Sequence, residues 1–157
     1  MLEPYFQAIH HTALGEWMRS AIWRIPAVEF VHLIGIVLLF GSLFAVNLRL
    51  IGFTLRTQPV AQVAQDVSGF QRLGLTLMML SGPVLFVTSA MKCYETPSFW
   101  WKMSFLVLAV TYQFTIHAAV VGRPDPAISR SLALRTAGFS LALWFAVLLN
   151  GMWTLLS

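Results

Sequence analysis

The chain has 157 residues, 58% of them apolar and only 10% charged, with a formal net charge of +4. Soluble domains carry roughly a quarter charged residues, so this composition excludes an ordinary soluble fold and points to the bilayer. One cysteine excludes an internal disulfide and a cysteine-rich metal cluster. The excess arginine sits beside the apolar runs, so it reads as topology and headgroup contact and excludes nucleic acid as a partner.

Residues 1–24 lack a basic start followed by an apolar core, so no cleavable signal peptide is expected. They predict one or two short amphipathic helices. Tyr5, Phe6, Leu14, Trp17 and Trp23 dip into the interface, while Glu3, Glu16 and Arg19 stay in water. Pro26 then suits the first turn of a helix.

A spanning helix needs about 20 mostly apolar residues. Four such spans are predicted, over about 25–53, 73–94, 98–121 and 132–156, leaving no room for a separate soluble domain. Between the first two, Val60, Val63, Ala64 and Val67 recur at helical spacing and predict a short surface helix. The connections ETPSFWWK and GRPDPAISR are tight turns. The expected fold is therefore all-α: a polytopic membrane protein, one domain over 1–157, built as an up-down bundle of four transmembrane helices with an N-terminal interfacial helix. Arg49, Arg56 and Arg72 lie in one loop, and Arg123, Arg130 and Arg135 in another on the same side. The positive-inside rule places both loops in the cytoplasm and both termini outside, in a bacterial inner membrane.

Ionisable groups inside the spans are costly, and each is a functional hypothesis by default. Glu29 and His32 lie three residues apart in span one, on one helix face. Depth arithmetic at 1.5 Å per residue brings Glu29, His32, Lys102 and Asn150, with Lys92, to one level in the outer half. A second group, Asn47, Arg49, Gln113, His117 and Arg135, gathers near the inner end. For Asn47 and Gln113 the favoured role is interhelical hydrogen bonding. His117 either bonds a loop carbonyl or acts as a ligand. His10 and His11 are surface histidines or, folded over the outer mouth, ligands beside His32.

Span one reads P-x-x-E-x-x-H-x-x-G and then N-x-R-x-x-G, and span three opens F-W-W-K. In these motifs the chain resembles an uncharacterised family of small bacterial four-helix membrane proteins, with Asn47 where that family has aspartate. At a greater distance it resembles the copper-resistance D family and the haem-associated membrane protoporphyrinogen oxidases. The resemblance implies His32 as an axial ligand and Lys102 as partner of a propionate or substrate carboxylate.

The leading expectation is a membrane protein that binds haem b or another porphyrin and works in electron transfer, with His32, Glu29, Lys102 and Asn150 at the cofactor. Its partners would be the lipid bilayer, a redox partner protein or a quinone, and a homo-oligomer is compatible with the sequence. The alternatives are a site for copper or another divalent metal at His32, drawing on His10, His11 or His117, and a non-catalytic accessory subunit of a membrane complex. No serine, cysteine or paired-carboxylate constellation supports a hydrolase. If the chain is an enzyme, it is an oxidoreductase or a membrane cytochrome subunit.

Overall fold

The computed structural model describes residues 3–55 and 57–156, excepting the side chains beyond 153. Arg56 thus lies outside the described residues. All regular structure within them is helical. Two short helices, α1 (Glu3–His10) and α2 (Ala13–Arg19), lead into α3 (Arg24–Leu50) and α4 (Val60–Thr88). A one-and-a-half-turn helix, α5 (Ala90–Glu95), precedes α6 (Pro97–Tyr112), which runs through a π turn (Gln113–His117) into α7 (Ala118–Val121). The last helix is α8 (Arg130–Leu156). Four stretches are long and apolar enough to cross a membrane: Arg24–Leu50, Val60–Thr88, Pro97–Val121 and Arg130–Trp153.

Helix α4 differs from expectation. The periodic Val60–Val67 segment is not a separate surface helix but the first turns of α4 itself. Nothing between Val67 and Leu73 breaks it, since isolated glycines lower helix stability by only about 1 kcal/mol each. The far end does break at Ser89, whose backbone leaves the helical region, and α5 starts afresh.

Helix α3 packs along α4, α8 packs along α6, and α3 touches α8, which joins the two pairs. The α3–α4 crossing is set by glycine. A Cβ on Gly74 would lie 2.6 Å from the Leu39 nitrogen and 2.7 Å from the Gly35 oxygen, and one on Gly35 would lie 3.0 Å from the Gly74 oxygen. The backbones therefore touch, as small residues allow where van der Waals packing drives helix association. The α3–α8 seam is filled by Leu39, Leu43, Leu143, Trp144 and Val147.

The N-terminal helices lie against the end of the bundle that holds both chain termini. Phe6 is buried among Phe86, Tyr94 and Trp100. Arg19 donates to the His10 and Thr88 carbonyls, fixing α1 and α2 to the end of α4. Exposed Tyr5, Leu14, Trp17, Ile22 and Trp23 suit an interfacial position.

The opposite, arginine-rich end is closed by a clamp. Arg49 Nη2 pairs with Asp125 Oδ2 at 2.6 Å, and Arg49 Nε donates to the Gln58 carbonyl at 2.6 Å. The other carboxylate oxygen, Asp125 Oδ1, accepts the Val60 N–H at 3.0 Å, satisfying one of the orphan donors at the start of α4. Gly52, at φ 76°, ends α3. There the Phe53 N–H bonds the Leu48 carbonyl and the Gly52 N–H bonds the Arg49 carbonyl. That is the Schellman arrangement, which calls for glycine in the left-handed position.

Replacing Gly74 with alanine should lower the melting temperature in detergent, because the clash with α3 backbone outweighs the roughly 1 kcal/mol gained in helix propensity. Gly41→Ala has the same propensity gain and meets nothing within 4 Å, so it should melt no lower than the native chain. Equal melting of the two variants would contradict the backbone crossing.

Candidate functional site

Near the arginine-rich end, four neutral side chains close a ring. His117 and Gln113 share the π turn, Asn47 comes from α3 and Ser140 from α8, and all four are buried. Gln113 Nε2 contacts His117 Nδ1 at 3.1 Å, and His117 Nε2 contacts Asn47 Oδ1 at 3.0 Å. Asn47 Nδ2 donates to Ser140 Oγ at 3.3 Å and to the Leu43 carbonyl at 2.8 Å. Ser140 Oγ donates to Gln113 Oε1 at 3.4 Å. The donor and acceptor inventory allows one running direction: Gln113 N–H to His117 Nδ1, His117 Nε2–H to Asn47, Asn47 to Ser140, Ser140 to Gln113. His117 is thus a neutral imidazole with both nitrogens engaged. Its partners are side chains of the bundle, not a loop carbonyl. The π turn at its origin is a local widening that is often found at functional sites.

The expected inner group is split by this arrangement. Asn47, Gln113 and His117 come together, Arg49 belongs to the Asp125 clamp, and Arg135 is exposed.

In the half of the bundle that holds the termini, His32 Nδ1 lies 2.8 Å from Ser81 Oγ on α4. Ser81 donates its own hydrogen to the Leu77 carbonyl at 2.6 Å, so its oxygen accepts from His32 Nδ1–H. His32 Nε2 then carries the lone pair and has no hydrogen-bond partner among the described residues. A glycine, Gly82, leaves room beside the ring: a Cβ there would lie 3.7 Å from His32 Cε1. Lys102 on α6 is within electrostatic range of His32. Its amine rests against Gly151, where a Cβ would lie 3.3 Å from Nζ, one residue past Asn150. Among the described residues Lys102 Nζ makes no hydrogen bond or ion pair. Cys93 on α5 is also close to Lys102. Burial pushes the Cys93 thiol up from its ordinary range, with Lys102 and Lys92 pulling the other way.

His32, Lys102 and the Asn150–Gly151 turn therefore share one region. Glu29 does not join them. It is exposed and makes no hydrogen bond or ion pair among the described residues. His10 sits beside Arg19 and His11, and burial followed by the Arg19 cation holds it below the ordinary histidine range. Asn47 and His32 are 15 residues apart on one helix, about 22 Å of rise, so His117 and His32 serve opposite halves of the bundle. Among the described residues no three His, Cys, Asp or Glu side chains come together as a metal site. The copper expectation at His32, His10, His11 and His117 accordingly has no assembled ligand set to rest on.

A family model, described as a family of unknown function (DUF6644), matches residues 21–157. The chain belongs to that family. No curated protein and no solved structure matches it, and the family match carries no link to copper-resistance D proteins or protoporphyrinogen oxidases. In this DUF6644 chain, five of the motif residues quoted from the sequence have a physical role. His32 bonds α4, Gly35 makes the α3–α4 crossing, Asn47 enters the ring, Arg49 makes the clamp and Gly52 ends α3.

Sequence reasoning missed Ser81 and Ser140, because a serine inside an apolar run carries little signal by itself. Ser81 was legible at second order. It lies seven residues, two helical turns, beyond Gly74 and so shares the face that meets α3.

Asn47→Leu removes the acceptor of His117 Nε2–H and strands a buried donor. It should cost about 1–3 kcal/mol of stability, measured by denaturant titration in detergent. A cost near zero would show that the ring is not formed.

Proposed function

We propose that this protein binds haem b or a related porphyrin in the half of the bundle that holds the termini, and that it works in membrane electron transfer. The observation that carries the proposal is that His32 and Lys102 lie within electrostatic range of each other in one region of the bundle. Ser81 holds the Nδ1–H of His32, as outer-sphere hydrogen bonds do for ligating imidazoles, and this leaves Nε2 as a lone-pair donor. In the same region stands an ammonium with no anionic partner among the described residues. A propionate-bearing iron porphyrin answers both: the iron takes the imidazole, and a carboxylate takes the lysine. Bound haem would supply one-electron chemistry. The chain's own part is to fix the imidazole tautomer through Ser81, to neutralise a propionate through Lys102, and to keep the region dry with the Phe6, Phe86 and Trp100 cluster. His117 is not a second ligand in this proposal, because both its nitrogens are bonded within the ring.

Protein purified from haem-replete cells should show a Soret band and a reduced α band. His32→Ala should abolish them and His117→Ala should leave their positions unchanged. Ser81→Ala should weaken haem retention by roughly ten- to a hundredfold, the usual cost of losing such a partner. A second reading, an accessory subunit that docks a partner along α3, is favoured by Glu29, an exposed and unpaired carboxylate on a spanning helix. Colourless protein with native helicity would overturn the haem proposal in its favour.

The proposed location is a bacterial inner membrane with both termini outside, from the arginines of the two loops at the other end. Single cysteines at exposed Thr57 and Pro126, in a Cys93→Ser background, should resist an impermeant thiol reagent in intact cells. Ready labelling of both would reverse the orientation.

A further inference from the structure

On the side of the bundle between α4 and the π turn, a cleft of 380 Å³ reaches the buried ring. Its inner wall is Gln113 and His117, and its facing wall is Gln65, Ser68 and Gln71 of α4. The ring uses one N–H of Gln113 on His117 and the carbonyl oxygen of Gln113 on Ser140. The second N–H of Gln113 therefore has no acceptor among the described residues. It belongs to a side chain only 7% exposed, in the wall of the cleft. A buried donor left without an acceptor costs about 1–3 kcal/mol, so this position calls for one from outside the chain. Across the cleft, the amides of Gln65 and Gln71 also make no hydrogen bond among the described residues.

These features narrow the ligand. Among the described residues no carboxylate, lysine or arginine lines the cleft, and His117 is neutral and engaged, so the ligand is uncharged. It needs hydrogen-bonding groups at two opposite edges, an acceptor toward Gln113 and a group toward the α4 amides. It enters a membrane-spanning bundle beside apolar Val46, Phe114 and Ala118, so it carries an apolar tail. The volume suits one substituted ring and is small for a porphyrin. We propose that this cleft binds the headgroup of a membrane quinone, with one carbonyl accepting the spare Gln113 N–H and the other facing Gln65 and Gln71. The choice of a quinone over other uncharged amphiphiles rests on the electron-transfer reading above. The site itself is independent of His32.

The test is equilibrium binding of decylubiquinone to the full-length protein in nanodiscs, with empty nanodiscs as the baseline. Saturable binding is expected. Gln71→Leu and Ala61→Phe leave the ring intact and should each weaken it by roughly tenfold, about the loss of one hydrogen bond with its desolvated partner. Gln113→Leu should weaken it at least as much, and circular dichroism checks that this variant is folded. His32→Ala, which removes the proposed haem ligand, should bind decylubiquinone as the native chain does. Native protein that purifies from haem-replete cells without haem and still binds the quinone would sink the haem proposal while supporting this one. No saturable binding above empty nanodiscs, or native affinity in both Gln71→Leu and Ala61→Phe, would overturn the quinone site.

Discussion

The ring of Asn47, His117, Gln113 and Ser140 is the constraint from which the rest of the structure follows. In an apolar bundle each buried amide, hydroxyl and imidazole must find a partner inside the protein, because neither lipid nor bulk water offers one. Four neutral groups meet this demand by each donating once around a closed circuit, which leaves over the second Gln113 N–H at the cleft. The circuit joins α3, the π turn and α8, so it fixes their relative depth and rotation more narrowly than apolar packing does. A one-residue shift of any of the three helices would leave at least two buried groups unpaired. The fourth helix is held by other means, the backbone contact of Gly35 with Gly74 and the Asp125 cap on Val60.

This arrangement divides the two embedded histidines by role. His117 spends both nitrogens on structure. His32 spends one, on Ser81, and keeps the other. Opposite tautomers follow from the two sets of partners, Nε2–H for His117 and Nδ1–H for His32. The lysine distribution sharpens the difference. Lys102 enters the interior near His32 and meets no carboxylate among the described residues, whereas the clamp at the other end is a matched pair, Arg49 with Asp125. The buried arginine of one end has its carboxylate, and the other end leaves a cation and a lone pair without a partner among the described residues. That asymmetry is what the haem proposal at His32 rests on. The exposed carboxylate of Glu29 lies apart from it.

The four apolar runs were legible in the sequence because length and hydropathy are one-dimensional properties, and the spans expected from them match α3, α4, α6–α7 and α8 to within a few residues except at the ends of α4. Depth was legible for the same reason: Asn47, Gln113 and His117 were grouped by rise per residue, and they meet. Rotation was not. Glu29 and His32 share a depth and a broad face, yet the extra 60° or so between positions three apart turns His32 to α4 and leaves Glu29 exposed. Nor could the sequence say which partner an inward polar group would choose. Ser81 and Ser140 complete both hydrogen-bonded systems, but they look like any small residue in an apolar helix until the opposite helix is in place. Trp144 shows the same limit from the other side: its indole N–H is buried with no acceptor among the described residues, and nothing in its sequence context announces that.

The measurement that bears most directly on this division is nitrogen-15 NMR of the histidine-labelled protein, with His32→Ala and His117→Ala used to assign the two embedded rings. His117 should appear as a neutral imidazole protonated at Nε2, with Nδ1 an acceptor. His32 should appear protonated at Nδ1, with Nε2 either a bare lone pair or bound to iron. A His117 protonated at Nδ1, or a His32 protonated at Nε2, would break the hydrogen-bond directions on which both the scaffold and the proposed ligand site depend.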